Sequence, residues 1–132
     1  NMDKTITVFK LPADGSLKAI PDEIPDKLEV LQQYVDGYIE IVTLSRETDS
    51  SRLVMIVNDS GLVWNLPENP IATYLYQRCT EAKTPICGNA IVCTADAEGE
   101  LQDITPWEGL TLLLMANDMR KTGGEANDKR GS

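Results

Sequence analysis

The sequence contains no histidine, a single phenylalanine and three cysteines, and each scarcity limits the chemistry that the chain can support. Without histidine, Ser-His and Cys-His nucleophile pairs and H-E-x-x-H zinc sites cannot be assembled. The commonest general base and the commonest transition-metal ligand are therefore missing together. We expect a protein that is not an enzyme and that holds no metal and no cofactor.

The cysteines and the apolar runs indicate a compartment. Cys79, Cys87 and Cys93 form an odd set without C-x-x-C spacing, which favours buried thiols in a reducing environment. No run approaches the ~20 apolar residues of a membrane span. Met2 is not followed by the basic and apolar regions of a signal peptide. We therefore expect a cytoplasmic protein.

Acidic residues are in excess, with 21 Asp and Glu against 12 Lys and Arg and a net charge of −9. This balance argues against a sequence-independent grip on duplex nucleic acid, which needs clustered basic residues. A small anionic ligand needs only a local positive site and stays compatible with the charge.

Length and composition predict a single globular domain. The chain has 132 residues, of which 42% are hydrophobic and 25% charged. We assign the domain to residues 2–121 and interpret residues 122–132 as a flexible tail. Asn1 and Gly131-Ser132 are interpreted as residues left by cloning.

The first half of the chain predicts a hairpin, a helix and two strands. "TITVFKLPADGSLKAI" is typical of a hairpin with its turn at Pro12–Gly15. Ile24, Leu28, Leu31 and Val35 then recur at helical spacing, and Gly37 follows where that helix would end. "YIEIVTL" and "RLVMIV" predict antiparallel neighbours, and the second, nearly all apolar, should be central in the sheet.

The middle of the chain contains two turn signals and a helix start. "NDSG" predicts a tight turn into a third strand, "LVWNL", which would complete a three-stranded meander. Asn69-Pro70 predicts an N-cap followed by proline at the first helical position. After this helix, "TPICGNAIVCTA" is typical of a strand interrupted at Gly88-Asn89, and "LQDI" predicts a short strand.

The last helix begins with the clearest local signal. Thr105 and Glu108 form a capping box, in which each side chain bonds the other residue's backbone N–H. The run from Leu110 to Met115 is apolar around more than one face, so we expect this amphipathic to apolar helix to lie at a subunit interface. The predicted order is β-β-α-β-β-β-α-β-β-α, an α+β fold with a small, mostly antiparallel sheet and about three helices.

Few side chains suit a ligand. Trp64 and Tyr74 could stack on a base, although such aromatics are more often half-buried core. The helix start at Asn69 could meet an anion through its free N–H groups, with Arg78 or Arg120 as cations. No phosphate-binding glycine motif occurs, and the acidic pairs lie in turns that lack calcium-site spacing.

Three segments carry a resemblance to a known family. "LQQYVDGYIEIVTL", "LVMIVNDSGLVWNLPENPIAT" and "ICGNAIV" are similar to a small phage domain of unknown function, over roughly residues 5 to 104. Its usual pattern includes N-x-x-G, L-P-x-N-R-x-A and G-x-x-x-I-V. Within that shape the chain resembles the first-described phage anti-Thoeris sponges, which are cytosolic hexamers that sequester cyclic ADP-ribose isomers, and in some members cyclic oligonucleotides.

The resemblance implies a binding protein in the bacterial host cytoplasm, with a cyclic ADP-ribose-type signal as its partner and a homo-oligomeric assembly, which in the family is a hexamer. Where relatives carry a basic residue after L-P-x-N, this chain has Pro70, so Arg78 is the first substitute. The positions carried over are Gly37, Tyr38, Glu40, Asn58, Gly61, Leu66, Pro67, Asn69, Ala72 and Gly88. The predicted ligand-binding residues are Trp64, Asn69, Ala72, Tyr74, Arg78, Gly88, Asn89 and Arg120.

Two other functions stay open. A phage inhibitor of a host protein, or an acidic mimic of nucleic acid, would suit the net charge of −9, although the acids are scattered. A nuclease or hydrolase that uses carboxylates alone would need a divalent metal at converging Asp and Glu side chains, for which no spacing argues.

Overall fold

The computed structural model describes residues 4–48 and 50–131, apart from the side chains of residues 46, 47 and 124–131. The predicted α+β class is confirmed over these residues, with a mostly antiparallel sheet and three helices. In chain order the elements are β1 (Thr5–Leu11), β2 (Ile20–Pro25), α1 (Leu28–Val35), β3 (Ile39–Thr48), β4 (Ser51–Asn58), α2 (Pro70–Cys79), β5 (Ala90–Asp96), β6 (Leu101–Gln102) and α3 (Pro106–Gly131).

The sheet has the strand order β2-β1-β5-β4-β3, and β6 pairs with β5. All of these pairings are antiparallel. β4 is paired on both sides, as its nearly continuous apolar run predicts, because such a run suits a strand covered on both faces.

Helices cover both faces of the sheet, because the strands alternate their apolar side chains between two cores. On one face, Val54 and Ile56 of β4 pack in a cluster with Leu31 and Val35 of α1. On the other face, Met55 packs in a cluster to which α2 and α3 contribute. The fold is therefore layered, with α1 alone on one side.

The predicted hairpin is present, but its second strand begins later than expected. β2 starts at Ile20, which pairs with Lys10, so residues 12–19 form a long connection. Gly15 and Leu17 have φ angles of 83° and 53°, and a backbone in this left-handed region cannot continue a strand.

The sequence prediction places the start of the first helix one turn before its observed start. Ile24 has helical spacing to Leu28, but it lies in β2, pairs with Ile6 and is buried. Pro25 explains the difference, because a residue that precedes proline is driven toward extended backbone angles. α1 therefore begins at Leu28 and ends at Val35, and Asp36 caps it with a left-handed φ of 65° just before Gly37.

The prediction of a third strand at "LVWNL" is wrong, and with it the three-stranded meander. Residues 59–65 form consecutive turns, in which the N–H of Trp64 donates to Ser60 O at 2.9 Å. Asn65 has a φ of 58°, which a strand does not allow. The second neighbour of β4 is therefore β5, and the chain has one strand fewer than predicted.

The capping box of α3 is confirmed. The N–H of Glu108 donates to Thr105 Oγ1 at 3.2 Å, and the N–H of Thr105 donates to Glu108 Oε1 at 3.3 Å. Leu112 faces the core, whereas Leu110 and Leu114 are exposed. The subunit interface of this helix stays a prediction, as do the domain boundary at residue 121 and the flexible tail at 122–132.

Across the described chain, no helix is both long and apolar enough to cross a membrane.

Candidate functional site

The N-x-x-G pattern joins three parts of the chain. Asn58, at the end of β4, donates from Nδ2 to the carbonyls of Val35 and Asp36, each at 3.1 Å, and its Oδ1 accepts from the N–H of Ser60. A Cβ on Gly61 would lie 2.1 Å from the carbonyl oxygen of Cys87, so only glycine fits there. The pattern therefore fixes the end of α1 and the turn against the segment before β5.

The L-P-x-N pattern joins two more segments. Asn69 is 1% exposed, and its Nδ2 donates to Leu11 O at 2.7 Å and Gly88 O at 3.0 Å. Its Oδ1 accepts from the N–H of Ala72 at 3.1 Å, which makes it the predicted N-cap of α2. Asn69 and the buried Ala72 are therefore explained by the cap of α2 and by the hydrogen bonds that join this helix to Leu11 and Gly88.

Gly88 and Asn89 hold the loop before β5 in a similar way. Gly88 has a φ of 101°, and a Cβ there would meet Leu66 Cδ1 at 3.0 Å. Asn89 accepts from the N–H of Ala13 at 2.8 Å and donates to Tyr34 O at 3.1 Å. Their interruption of the predicted strand is real, since β5 begins one residue later at Ala90.

A cleft of about 440 Å³ lies at the end of α1 that these contacts fix. We call it the aromatic cleft, because Tyr38 and Trp64 line it and are 75% and 74% exposed. Exposed aromatic faces next to a cavity are suited to stacking on a planar ligand. Its lining residues are Asp36, Gly37, Tyr38, Asn58, Asp59, Ser60, Trp64 and Leu66.

Two further cavities continue from this cleft along the flank of α1. One of about 110 Å³ shares Asp36 and Leu66 with the aromatic cleft, and it is also lined by Gly88 and Asn89. Asn89 also lines the next, of about 320 Å³. We call the three together the α1 groove. The last cavity is lined by Lys10, Ile24, Val30, Gln33, Tyr34, Asn89 and Ile91.

The two ends of the α1 groove differ in charge. At the far end, the Lys10 ammonium lies 2.7 Å from a carboxylate oxygen of Asp22 and 5.0 Å from the Tyr34 ring centroid. The hydrogen bond from Lys10 lowers the pKa of Asp22, and burial raises the pKa of Tyr34 to about 12. At the near end the charged lining residues are Asp36 and Asp59.

The structure distributes the predicted site residues over several places. It brings Trp64, Gly88 and Asn89 together along the α1 groove. Arg78 and the half-exposed Tyr74 lie on α2 and are not among its lining residues. Arg120, on α3, donates to the carbonyl of Leu17 and also lies outside that lining.

Sequence reasoning missed the two charged ends of the groove. Lys10 and Tyr34 are separated along the chain and meet only because α1 packs beside β1 and β5. No local pattern marks such a pair. Asp36 could have been noticed, because Asp before Gly at a helix end is suited to the left-handed conformation.

The described residues supply no metal centre, since no group of three His, Cys, Asp or Glu side chains converges among them. Two of the three predicted buried thiols are buried, Cys87 and Cys93, whereas Cys79 is exposed at the end of α2. Burial raises the pKa of Cys93 to about 12, which suits an inert core thiol.

Comparison with known proteins identifies a family and nothing narrower. No curated protein and no solved structure matches the chain significantly. The domain of unknown function DUF3846 matches residues 6–114, which include β1 from its second residue, β2 to β6, the α1 groove and the first turns of α3. The chain therefore belongs to the DUF3846 family, whose function is unknown.

Proposed function

We propose that this protein is a phage-encoded sponge that binds a cyclic ADP-ribose-type immune signal and does not degrade it. It would act in the host cytoplasm and block Thoeris-type defence by removing the signal, and cyclic oligonucleotides are a second ligand class. The observation that carries the proposal is the α1 groove, which joins exposed aromatic faces at one end to Lys10 at the other. A nucleotide is divided in the same way, because its base suits the aromatic end and its phosphates suit the Lys10 end.

The ring end of such a ligand has a clear place in the groove. Tyr38 and Trp64 line the cleft and are mostly exposed, and stacking on such a ring contributes ~1–3 kcal/mol per base. The contacts made by Asn58 and Gly61 hold the cleft in position before a ligand arrives. Preorganisation of this kind saves ordering entropy on binding.

The phosphate end is less complete within one chain. Lys10 is the basic lining residue of the groove, and it is paired with Asp22, which a phosphate would have to replace. Nanomolar binding corresponds to about −12 kcal/mol, more than one half-neutralised lysine supplies. We therefore propose a homo-oligomer, and a hexamer by the resemblance, in which a neighbouring subunit adds cationic groups.

The exposed apolar face of α3 supports such an assembly. Trp107, Leu110 and Leu114 lie three and four residues apart, so they share one helix face, and all three are exposed. A continuous apolar helix face of this kind is typical of an interface. Light scattering coupled to gel filtration should give a mass well above the 14.5 kDa of one chain.

Isothermal titration with cyclic ADP-ribose isomers tests the binding proposal. We expect binding with a stoichiometry near one ligand per chain or per subunit pair, and intact ligand after heat release from the protein. Trp64→Ala should weaken binding at least tenfold, whereas Tyr74→Ala, which removes a half-exposed aromatic ring outside both the groove and the α3 face, should leave the ligand contacts intact. No heat at tens of micromolar protein would refute binding, and a cleaved product would show an enzyme.

A second candidate function rests on a different observation. Val63 is 86% exposed and Leu62 53% exposed in the turn that carries Trp64. Apolar side chains presented together on a turn are suited to a protein partner, so an inhibitor of a host protein is the alternative. Capture of a defined host protein from infected lysate, lost in Leu62→Ser/Val63→Ser, would favour it. Capture that depended instead on salt would favour an acidic mimic of nucleic acid.

A further inference from the structure

We infer that the aromatic cleft selects a ring that presents a hydrogen-bond donor or a positive charge, and that it favours the positive charge. For a nucleotide signal this means a cationic purine, such as an adenine substituted at N1, ahead of a neutral base. The inference rests on the proposed function, because it assigns the ring end of the ligand to the aromatic cleft. It is carried by the polar groups that line this cleft.

Most backbone donors around the aromatic cleft are already used within the fold. The N–H of Gly37 donates to Gln32 O at 3.0 Å, and the N–H of Asp59 donates to Tyr38 O at 3.0 Å. Those of Trp64 and Leu66 donate to carbonyls of their own turn at 2.9 Å each. An acceptor atom of a ligand would therefore find few partners on the backbone.

The side chains of Asn58 and Ser60 are committed in the same way. Asn58 directs its Nδ2 at two carbonyls of α1, and its Oδ1 accepts from the N–H of Ser60. The hydroxyl of Ser60 donates to a carboxylate oxygen of Asp59 at 3.0 Å. These groups have no donor to spare for a keto oxygen or a phosphate.

The charged groups that line the cleft are all acceptors with negative charge. Asp36 and Asp59 are both exposed and line the cleft, and the lining includes no Lys or Arg. The C-terminal end of α1, which carries the negative end of the helix dipole, points to the same place. Tyr38 and Trp64 add ring faces whose quadrupoles attract cations. Charge and hydrogen bonding thus favour the same kind of ring.

The polarity of the groove orients the whole ligand. Phosphates would be repelled by the two carboxylates at the aromatic cleft and attracted to Lys10 at the opposite end. The ring is therefore held at the Tyr38 and Trp64 end with its amine toward the acids.

A series of three nucleosides without phosphates tests the inference directly. 1-Methyladenosine carries a positive charge at neutral pH, adenosine presents a neutral amine, and inosine presents a keto oxygen at the same edge. In Trp107→Phe protein, Trp64 is the sole remaining tryptophan, so quenching of its fluorescence reports binding at the cleft. We expect 1-methyladenosine to bind about tenfold more tightly than adenosine or inosine, because each neutral nucleoside presents a donor at this edge but no charge.

Two conservative variants identify the cause. Asp36→Asn suits the left-handed residue at the end of α1, and Asp59→Asn keeps an oxygen to accept from Ser60. Each should reduce the preference for 1-methyladenosine, and the double variant should abolish it. Asp118→Asn, on the exposed surface of α3, removes the same charge elsewhere and should keep the full preference.

The failures of the inference and of the proposed function are distinguishable. Equal affinities for the three nucleosides, or a preference for inosine, would refute the inference even if cyclic ADP-ribose binds. Absence of both nucleoside quenching and cyclic ADP-ribose binding would refute both. If arginine amide quenches Trp64 more strongly than every nucleoside, and citrulline amide does not, the cleft is a docking site for a basic protein partner and the inference is wrong.

Discussion

Replacement of Asn69 by alanine should cost much of the stability of the domain. The side chain caps α2, and a lost cap of this type costs ~1 kcal/mol. The same change removes the donor that serves the carbonyls of Leu11 and Gly88, in a place where Asn69 is 1% exposed. A buried polar group left without its partner costs ~1–3 kcal/mol. We therefore expect a total loss of at least ~3 kcal/mol, against the ~5–15 kcal/mol typical of a whole domain.

Urea unfolding followed by far-ultraviolet circular dichroism measures this loss. The midpoint should fall while the dependence on urea stays constant, because the unfolded surface exposed is unchanged. Asn117→Ala, an exposed asparagine of α3, is the control and should change the free energy of unfolding by less than ~0.5 kcal/mol. If Asn69→Ala lost less than ~1 kcal/mol, the three hydrogen bonds would not hold the loop as described, and a ligand role for Asn69 would become the better explanation.

Two further perturbations test other contacts. Gly61→Ala places a Cβ 2.1 Å from the carbonyl oxygen of Cys87, so we expect a loss of ~1–3 kcal/mol in the same urea assay. Gly123→Ala meets nothing within 4 Å and should stabilise α3 slightly, so equal effects would contradict the close approach at Gly61. Burial, with smaller contributions from Asp26 and Asp103, raises the pKa of the Cys93 thiol from 9.0 to about 12. The native state then keeps a proton that the unfolded chain releases, so stability should fall as pH rises from about 9 toward 12. The fall should be shallower in Cys93→Ala, and an identical pH profile would refute this contribution.

The helices and strands that sequence reasoning predicted correctly are those specified by neighbouring residues. The cap at Asn69-Pro70 and the box formed by Thr105 and Glu108 satisfy backbone groups within one turn of helix. The errors occur where two local signals compete. Ile24 has helical spacing to Leu28, but Pro25 disfavours helical angles at Ile24, and pairing with Ile6 keeps this residue in β2.

The α1 groove was only partly predictable, because contacts between residues that are distant in sequence form it. "LVWNL" is rich in apolar residues, as a buried strand would be, but the turn is held by the close approach of Gly61 to Cys87, which is distant in sequence. Trp64 was noticed because of its residue type. Lys10 and Tyr34 approach to 5.0 Å only after the sheet and α1 have assembled, and no periodicity encodes that meeting.

The contacts also change what the family pattern means for the ligand. Asn58, Gly61 and Asn69 are each accounted for by buried hydrogen bonds or by close backbone approach, so their presence indicates the same scaffold. They frame the aromatic cleft without supplying its free polar groups. The N-x-x-G and L-P-x-N patterns therefore specify the scaffold around the aromatic cleft, and the residues that would contact a ligand are not part of these patterns.

Pro70 illustrates the consequence. It occupies the first helical position of α2, where a missing N–H costs nothing, and it is not among the lining residues of the α1 groove. The resemblance places a basic residue there in other members, so their charge at this helix start differs while the aromatic cleft can stay the same. The preference for an amine-bearing or cationic ring depends on Asp36 and Asp59, and Pro70→Arg should therefore leave the order of the three nucleosides unchanged while it adds a cation for phosphate elsewhere. If Pro70→Arg reversed the relative affinities of the three nucleosides, the start of α2, and not the end of α1, would determine which ring binds.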